Sequence, residues 1–336
     1  KMSVAMVTGS CGQPAQPALL IRQGAPEDLL EAAELEEELA ACHDGMQLYS
    51  RCSAVEHRLM MLAGLLRLLV AVAMATGRIV GFVLYTVSHV SQQDLPGLYV
   101  QSLFVDGAYR RHRVGQSLLA TLGRLAASSG FGHLKLLVQR SNAPAVNCYR
   151  RLGFEFLSDT ENIGFFELWP AKFVNSMLRA GRRPLPAGLS LELRDCDGRL
   201  SGGLEAGRRF ALTCAACDCR LQGTAALTYC MWDGCIMLAD LRLLRPACAQ
   251  RPCQLLSVAN LKRLLGRLAL SLAASPRRLW LEAPRQQTEL HRMLLHTGLE
   301  DLDGRHDGDW VVCALRGAQL CGLAERQVDS NILVAV

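Results

Sequence analysis

The sequence predicts a mixed, mostly antiparallel β-sheet flanked by helices, followed by a shortened second copy of the same α/β architecture. Three observations carry this. Consecutive strand patterns with a turn signal between the first two occupy Leu68 to Val105. A strand (Leu98–Val105), a basic loop and a helix then follow in direct succession. The same order of elements returns after Leu178–Gly188, a stretch rich in Pro, Gly and Arg that reads as a domain boundary.

Taken in order, Leu19–Arg22 is a short strand, and Ala25-Pro26-Glu27-Asp28 starts a helix with proline and acids suited to a first turn. Glu31, Glu34, Glu36, Glu37 and Glu38 read as the solvated face of that helix. A second helix runs through Ala54–Leu66. The apolar window Leu59–Ala75 carries Arg67 and falls short of the ~20 residues that span a bilayer, so it reads as a helix end followed by a buried strand. Leu68–Ala75 and Arg78–His89 flank Thr76-Gly77, a hairpin signal. After Leu98–Val105, the pattern Val114, Leu118, Leu119, Leu122, Leu125, Ala126 predicts an amphipathic helix. His133–Gln139 is a further strand and Asn142–Leu152 a helix ended by Gly153. Phe154–Leu157 and Ile163–Leu168 are expected to pair as the closing strands.

In the second copy, Leu189–Arg194, Arg209–Cys214, Leu221–Met231 and Cys235–Leu244 are strands. A helix bearing Val258, Leu261, Leu264, Leu265, Leu268 and Leu272 follows, then Arg278–Glu282, Gln287–His296 and a last strand, Trp310–Leu315. Gly81 answers to Gly223, and Gly153-Phe154-Glu155-Phe156-Leu157 to Gly298-Leu299-Glu300-Asp301-Leu302, as in a diverged duplication. The expected organisation is a disordered lead over 1–18, a first domain over 19–177, a linker over 178–188, a second domain over 189–318 and a tail over 319–336.

The chain of 336 residues is half hydrophobic and carries a net charge of +5. That excludes a disordered chain and gives no basic run of the kind nucleic acid requires. Neither nucleic acid nor membrane is an expected partner. The 14 cysteines are scattered behind no signal-peptide pattern, which points to free thiols in a reducing, cytoplasmic setting. Cys214, Cys217 and Cys219 could form a zinc site with Cys230 and Cys235. That second pair is spaced by four and falls on strands, so the expectation is small buried cysteines and no metal.

The strand–loop–helix passage Tyr109-Arg110-Arg111-His112-Arg113-Val114-Gly115-Gln116 aims helix N–H groups and basic side chains at one point, as a phosphate-bearing ligand requires. A basic turn before a surface helix would use the same residues. Gly81-Phe82-Val83-Leu84-Tyr85, Tyr99–Val105, Tyr109–Gly115 and Asn142–Phe154 occur in one order and spacing. With them, residues 19–170 resemble the GCN5-related N-acetyltransferases (GNAT), with diamine and thialysine acetyltransferases nearest in look.

The resemblance implies a GNAT fold, with acetyl-CoA as co-substrate and a small amine as acceptor, by direct attack in a ternary complex. It implies that the backbone of Leu103, Phe104 and Val105 meets the pantetheine arm and thioester. Arg110, Arg111, His112, Arg113, Val114, Gly115 and Gln116 would hold the pyrophosphate, Asn142 the pantetheine chain, and Tyr149 the sulfur. A strand N–H can stabilise the oxyanion of an attacked thioester. Tyrosine (pKa ~10) is a weaker acid than a thiol (~8.5), so Tyr149 would act chiefly by hydrogen bonding as the thiolate leaves.

Departures from the family pattern are specific. The loop pattern Arg/Gln-x-x-Gly-x-Gly/Ala has Arg113 at its first glycine. Either Arg113 takes a positive φ at a cost on the order of 1 kcal/mol, or it keeps an ordinary conformation and adds charge. Acidic residues on the strand before the loop are replaced by Gln101 and Ser102, the expected substrate-side positions. Water, His89 or His43 would then take the amine proton, or the substrate is not a polyamine.

The second copy has Leu294 at the place of Tyr149, Gln287 at that of Asn142, and no glycine loop. It reads as inert, standing in for a dimer partner. An inactive acetyl-CoA-binding or interaction protein, and an acetyltransferase of protein N-termini or lysines, are the alternative functions.

Overall fold

The computed structural model describes residues 17–41, 54–62, 64, 66–88, 97–168, 179–195, 207–230, 233–244, 253, 255, 257–272, 278–301, 310–326 and 328–336. Most of the 1–18 lead, and both His43 and His89, lie outside the described residues.

The first copy runs β1 (Leu19–Gln23), α1 (Leu29–Ala41), α2 (Ala54–Leu62), β2 (Arg67–Ala73), β3 (Ile79–Ser88), β4 (Gly97–Val105), α3 (Val114–Ser128), β5 (His133–Gln139), α4 (Ala143–Leu152), β6 (Glu155–Phe156), the short α5 (Leu157–Thr160) and β7 (Ile163–Leu168). After a short α6 (Arg179–Gly181) come β8 (Leu189–Asp195), β9 (Gly207–Cys214), β10 (Arg220–Cys230), β11 (Asp233–Leu244), α7 (Val258–Leu272), β12 (Arg278–Pro284), α8 (Thr288–His296), β13 (Glu300–Asp301), β14 (Trp310–Arg316), α9 (Gly317–Ala324) and β15 (Ile332–Ala335). The amphipathic patterns account for the helices. Val114, Leu118, Leu119, Leu122 and Ala126 of α3 are buried on the first sheet, and Leu261, Leu264, Leu265 and Leu268 of α7 on the second. A separate core on the opposite face of the first sheet joins α1 (Leu29, Ala32, Leu35) to Phe82, Leu84 and Phe104.

Among the described residues the strands form two sheets, ordered β15-β1-β2-β3-β4-β5-β14-β6 and β8-β9-β10-β11-β12-β7-β13. Apart from β15 the orders correspond strand for strand, with one exchange. β14, from the second half, lies between β5 and β6, whereas β7, from the first half, lies between β12 and β13. The expected pairing of Phe154–Leu157 with Ile163–Leu168 is therefore not made. Helix α5 and Asn162, whose φ is 51°, turn the chain after β6, and the Asn162 carbonyl accepts the Arg285 N–H (2.9 Å). β7 thus starts beside β12 instead of folding back. Nor is Trp310–Leu315 the last element, or 319–336 a tail. α9 buries Leu320 and Leu323 in the first core, and β15 pairs parallel with β1.

The duplication extends to local backbone. The caps preceding α4 and α8, Asn142 and Gln287, have φ/ψ of −79°/66° and −81°/70°. Gly153 and Gly298, which follow the two helices, have φ of 91° and 96°. Both glycines thus sit in the left-handed region that a side chain disfavours. The parallel pairings β4–β5 and β11–β12 start at Gly97↔His133 and Cys235↔Arg278. In this register Val105 corresponds to Leu243.

His133 lies over Gly97, where a Cβ would come within 2.3 Å of its ring. Burial, helped by Lys135 and Arg316, holds its pKa down at about 3. The folded state thus keeps His133 neutral while the unfolded state takes up a proton below pH ~6.5. Its contribution to stability is full above that pH and is lost as pH falls toward 3. About 2 kcal/mol should disappear between pH 6.5 and 5. Urea midpoints at the two pH values should show this loss in the wild type and little of it in His133→Gln. An equal loss in both would remove His133 as the cause.

Candidate active site

The site begins where two strands part. Among the described residues β4 pairs with β5 only through Gly97–Val100, so Leu103–Val105 have no described strand partner on that side. A register shift in the β3–β4 ladder falls at the same point, between Leu84↔Ser102 and Tyr85↔Val100, leaving Gln101 as the extra residue. Such a bulge bends the strand away from its neighbour.

Backbone direction beyond the bulge follows from alternation. The Asp106 N–H donates to the Val80 carbonyl (3.0 Å), so Phe104 and Ser102 also turn their peptide groups toward β3, and Leu103 and Val105 turn theirs into the opening. Arg110 agrees with this. Its Nε donates to the Val105 carbonyl at 2.9 Å, and its guanidinium lies 5.3 Å from the centre of the Phe104 ring. Arg110 therefore braces the end of β4. Among the expected phosphate ligands it already has a structural duty.

The basic loop leads into the N-terminus of α3. The first intrahelical bond is the Ser117 N–H to the Arg113 carbonyl (2.9 Å), so the N–H groups of Val114, Gly115 and Gln116 precede the helical ladder and point out of the helix end. Arg113 has φ 57° and caps the helix in the left-handed conformation. The first of the two expectations for this residue thus holds. Arg111 also takes a positive φ, 69°, which no residue pattern in the loop signals. Two non-glycine residues so placed cost on the order of 1 kcal/mol each. Both side chains are exposed, and they add positive charge to the helix end.

Helix α4 forms the other wall. The Asn142 Oδ1 accepts the Ala145 N–H (3.3 Å) and caps the helix, a role beyond the one expected of it. Tyr149 is buried, with its ring 5.4 Å from that of Phe154. It shares a core with Val114 and Leu118 of α3. The Gln116 side chain hydrogen-bonds the Cys148 thiol, which burial holds above the ordinary thiol range. The N-terminus of α3 is thereby tied to the turn of α4 that carries Tyr149.

On the opposite face, the bulge turns two consecutive residues toward α1 and α2. Gln101 donates from Nε2 to Thr86 Oγ1 (3.3 Å). Ser102 pairs with Leu84 of the α1 core and is buried, with its Oγ unpartnered. Neither side chain is a proton acceptor of useful basicity.

The second copy shows what happens when this opening closes. β11 parts from β12 after Leu238 and carries its own register shift opposite Gln222/Thr224. There, however, Gln287 reaches across from the start of α8. Its Oε1 accepts the Leu243 N–H (2.8 Å) and its Nε2 donates to the Leu243 carbonyl (3.3 Å). The peptide corresponding to that of Val105 is thus occupied by the chain itself, and Leu294, at the place of Tyr149, is fully buried.

Residues 32–154 match the acetyltransferase (GNAT) family. Over 82 residues the chain is 36% identical to the streptothricin acetyltransferase of Streptomyces lavendulae, covering 24% of this chain and 41% of that protein. It is 28% identical over 81 residues to L-ornithine N5-acetyltransferase NATA1 of Arabidopsis thaliana, covering 24% and 36%. The chain thus spans less than half the length of the curated relatives it matches. Among solved structures, a tandem GNAT protein from the clavulanic acid biosynthesis pathway overlaps 89% of this chain and 98% of its own, at 16% identity and a TM-score of 0.46.

Proposed function

We propose, from the match of residues 32–154 to the acetyltransferase (GNAT) family, that the first copy is an acetyl-CoA-dependent N-acetyltransferase acting on a small amine, with the second copy a non-catalytic companion. The observation that carries this reading is the contrast between two corresponding openings, one with no strand partner along Leu103–Val105 among the described residues and one stitched by Gln287.

The residues present fit acetyl-CoA. Leu103 and Val105 offer in-plane N–H donors to an extended amide chain, as an edge strand does. The N–H groups of Val114, Gly115 and Gln116, with the charges of Arg111 and Arg113, suit a pyrophosphate. When bound, acetyl-CoA supplies an activated acyl group on a thiol leaving group. Tyr149 would donate its hydroxyl hydrogen toward that sulfur as charge grows there, while the β4 N–H groups hold the carbonyl end. Gln101 and Ser102 would orient the amine without taking its proton, which leaves direct attack to the neutral amine. The strand exchange supports a reading in which the second copy does within one chain what a swapped partner subunit does between two.

Isothermal titration tests the assignment. One acetyl-CoA should bind per chain, and Gln287→Ala should leave that stoichiometry at one, because the second copy also lacks the glycine loop and the tyrosine. Absence of binding to the wild type at high micromolar concentration would sink the enzyme reading. A second binding event in the wild type would refute the inert role of the second copy.

A further inference from the structure

Away from the cleft, four cysteines of the second half converge. Cys214 ends β9, Cys217 and Cys219 lie in the turn to β10, and Cys253 lies in the connection from β11 to α7. The Sγ atoms of Cys214, Cys217 and Cys253 all lie within 4.8 Å of one another. Those of Cys217 and Cys253 are 3.1 Å apart, about 1 Å beyond a disulfide bond, and none of the four cysteines is in a disulfide. Cys219 lies within hydrogen-bonding reach of both Cys217 and Cys253. Cys214, Cys219 and Cys253 are buried and Cys217 is half-buried. Sulfurs bound tetrahedrally to zinc at ~2.3 Å stand ~3.8 Å apart, a spacing this cluster reaches with small side-chain adjustments.

The backbone folds tightly around the cluster and turns two peptide N–H groups toward its sulfurs. The N–H groups of Cys217 and Asp218 both donate to the Cys214 carbonyl (3.4 and 2.9 Å), and the Cys214 N–H donates to the Cys219 carbonyl (3.0 Å). Asp218 turns the chain at φ 53°. This tight knuckle brings the two cysteines of the Cys-x-x-Cys together. The Leu255 N–H donates to Cys253 Sγ (3.4 Å), and the Cys219 N–H donates to Cys217 Sγ. Each of these two sulfurs thus accepts a peptide N–H from two residues further on, an arrangement that favours a negatively charged sulfur and fixes its direction.

We propose that Cys214, Cys217, Cys219 and Cys253 bind one zinc ion as a structural four-thiolate site. The sequence spacing pointed instead to Cys230 and Cys235, which lie along β10 and β11. The partner of the Cys-x-x-Cys is Cys253, brought in by the fold from 36 residues away. The site pins the β9–β10 turn to the connection that precedes α7. In the first copy the corresponding connection is the basic loop before α3, so a metal orders in one half what a bound phosphate would order in the other. Binding releases the thiol protons to solvent.

The full chain, purified without chelator, should contain one zinc by mass spectrometry of its metals. Cys253→Ser should contain none, while Cys321→Ser, whose cysteine is exposed, should keep it. Should Cys253→Ser not fold, cobalt exchanged into the wild type provides an independent readout. Thiolate-bound tetrahedral cobalt gives strong sulfur-to-metal absorption and visible ligand-field bands. Wild type with no retained metal and no such bands on cobalt addition would overturn the proposal. So would a Cys217–Cys253 disulfide in the purified chain, or metal lost equally from Cys321→Ser.

Discussion

Replacing Lys135 by methionine alone should destabilise the protein by about 3–5 kcal/mol, and a Lys135→Met, Glu282→Leu double variant should recover much of that loss. Lys135 Nζ and Glu282 Oε2 are 2.7 Å apart, with side chains 8% and 5% exposed. Lys135 belongs to β5 of the first sheet and Glu282 to β12 of the second, so the pair joins the halves through their buried faces. Removing the ammonium leaves a buried carboxylate without its counter-charge. Glu282 Oε1 already lacks a hydrogen-bond partner, so the site has little else with which to solvate it. Removing both charges eliminates the desolvation cost together with the attraction. Urea unfolding of the two single variants and the double variant gives the coupling energy directly. Additive losses would mean that the ion pair contributes nothing as a pair.

Tyr149→Phe should lower turnover with amine about 100-fold or more, as expected for loss of a positioned proton donor, with acetyl-CoA affinity nearly unchanged. The ring is held by Phe154 and the α3–α4 core, so phenylalanine should keep the packing and remove only the hydroxyl. Because Gln101 and Ser102 take no proton, kcat/KM of the wild type should also rise about tenfold per pH unit from 7 to 9, tracking the neutral fraction of an amine of pKa ~10.4. An amine-panel assay with both proteins reads the two effects together. Equal turnover would remove Tyr149 from its role, and a pH-independent rate would require a base within the protein.

Much of the first copy was legible because its signals are local. Apolar periodicity placed α3 and β5, and Gly153 marked the end of α4 at a left-handed turn. The strand exchange was not legible. The apolar and aromatic run Ile163–Leu168 marks a strand and carries nothing about which neighbour supplies the hydrogen bonds. The four-residue strand Ile332–Ala335 is too short to stand out from a tail. At the site, residue types located the loop, and the Arg110–Val105 contact and the positive φ of Arg111 became visible only with the backbone in place. Gln287 could be aligned with Asn142, yet its longer side chain closing onto Leu243 depends on the parting of β11 from β12, a tertiary property. Cys253 was missed for the same reason. Spacing rules favour ligands near in sequence, and here the fourth comes from the connection after β11, 36 residues beyond Cys217.

The exchange of β7 and β14 also sets an order of events during synthesis. β6 ends at Phe156 and β14 at Arg316, about 160 residues later. At ~5–20 residues per second, the slot between β5 and β6 stays open for roughly 10–30 s after its two sides have emerged from the ribosome. Through that interval the nascent first half presents unpaired strand edges to every other chain nearby, the situation in which edge-to-edge association begins. β7 meanwhile waits for a sheet not yet made. A premature stop before Trp310 therefore removes more than the companion half. It leaves the first half without a strand, without α9 over its core and without β15 on its edge, and nonsense mutations late in the reading frame should be lost to aggregation or degradation as completely as early ones.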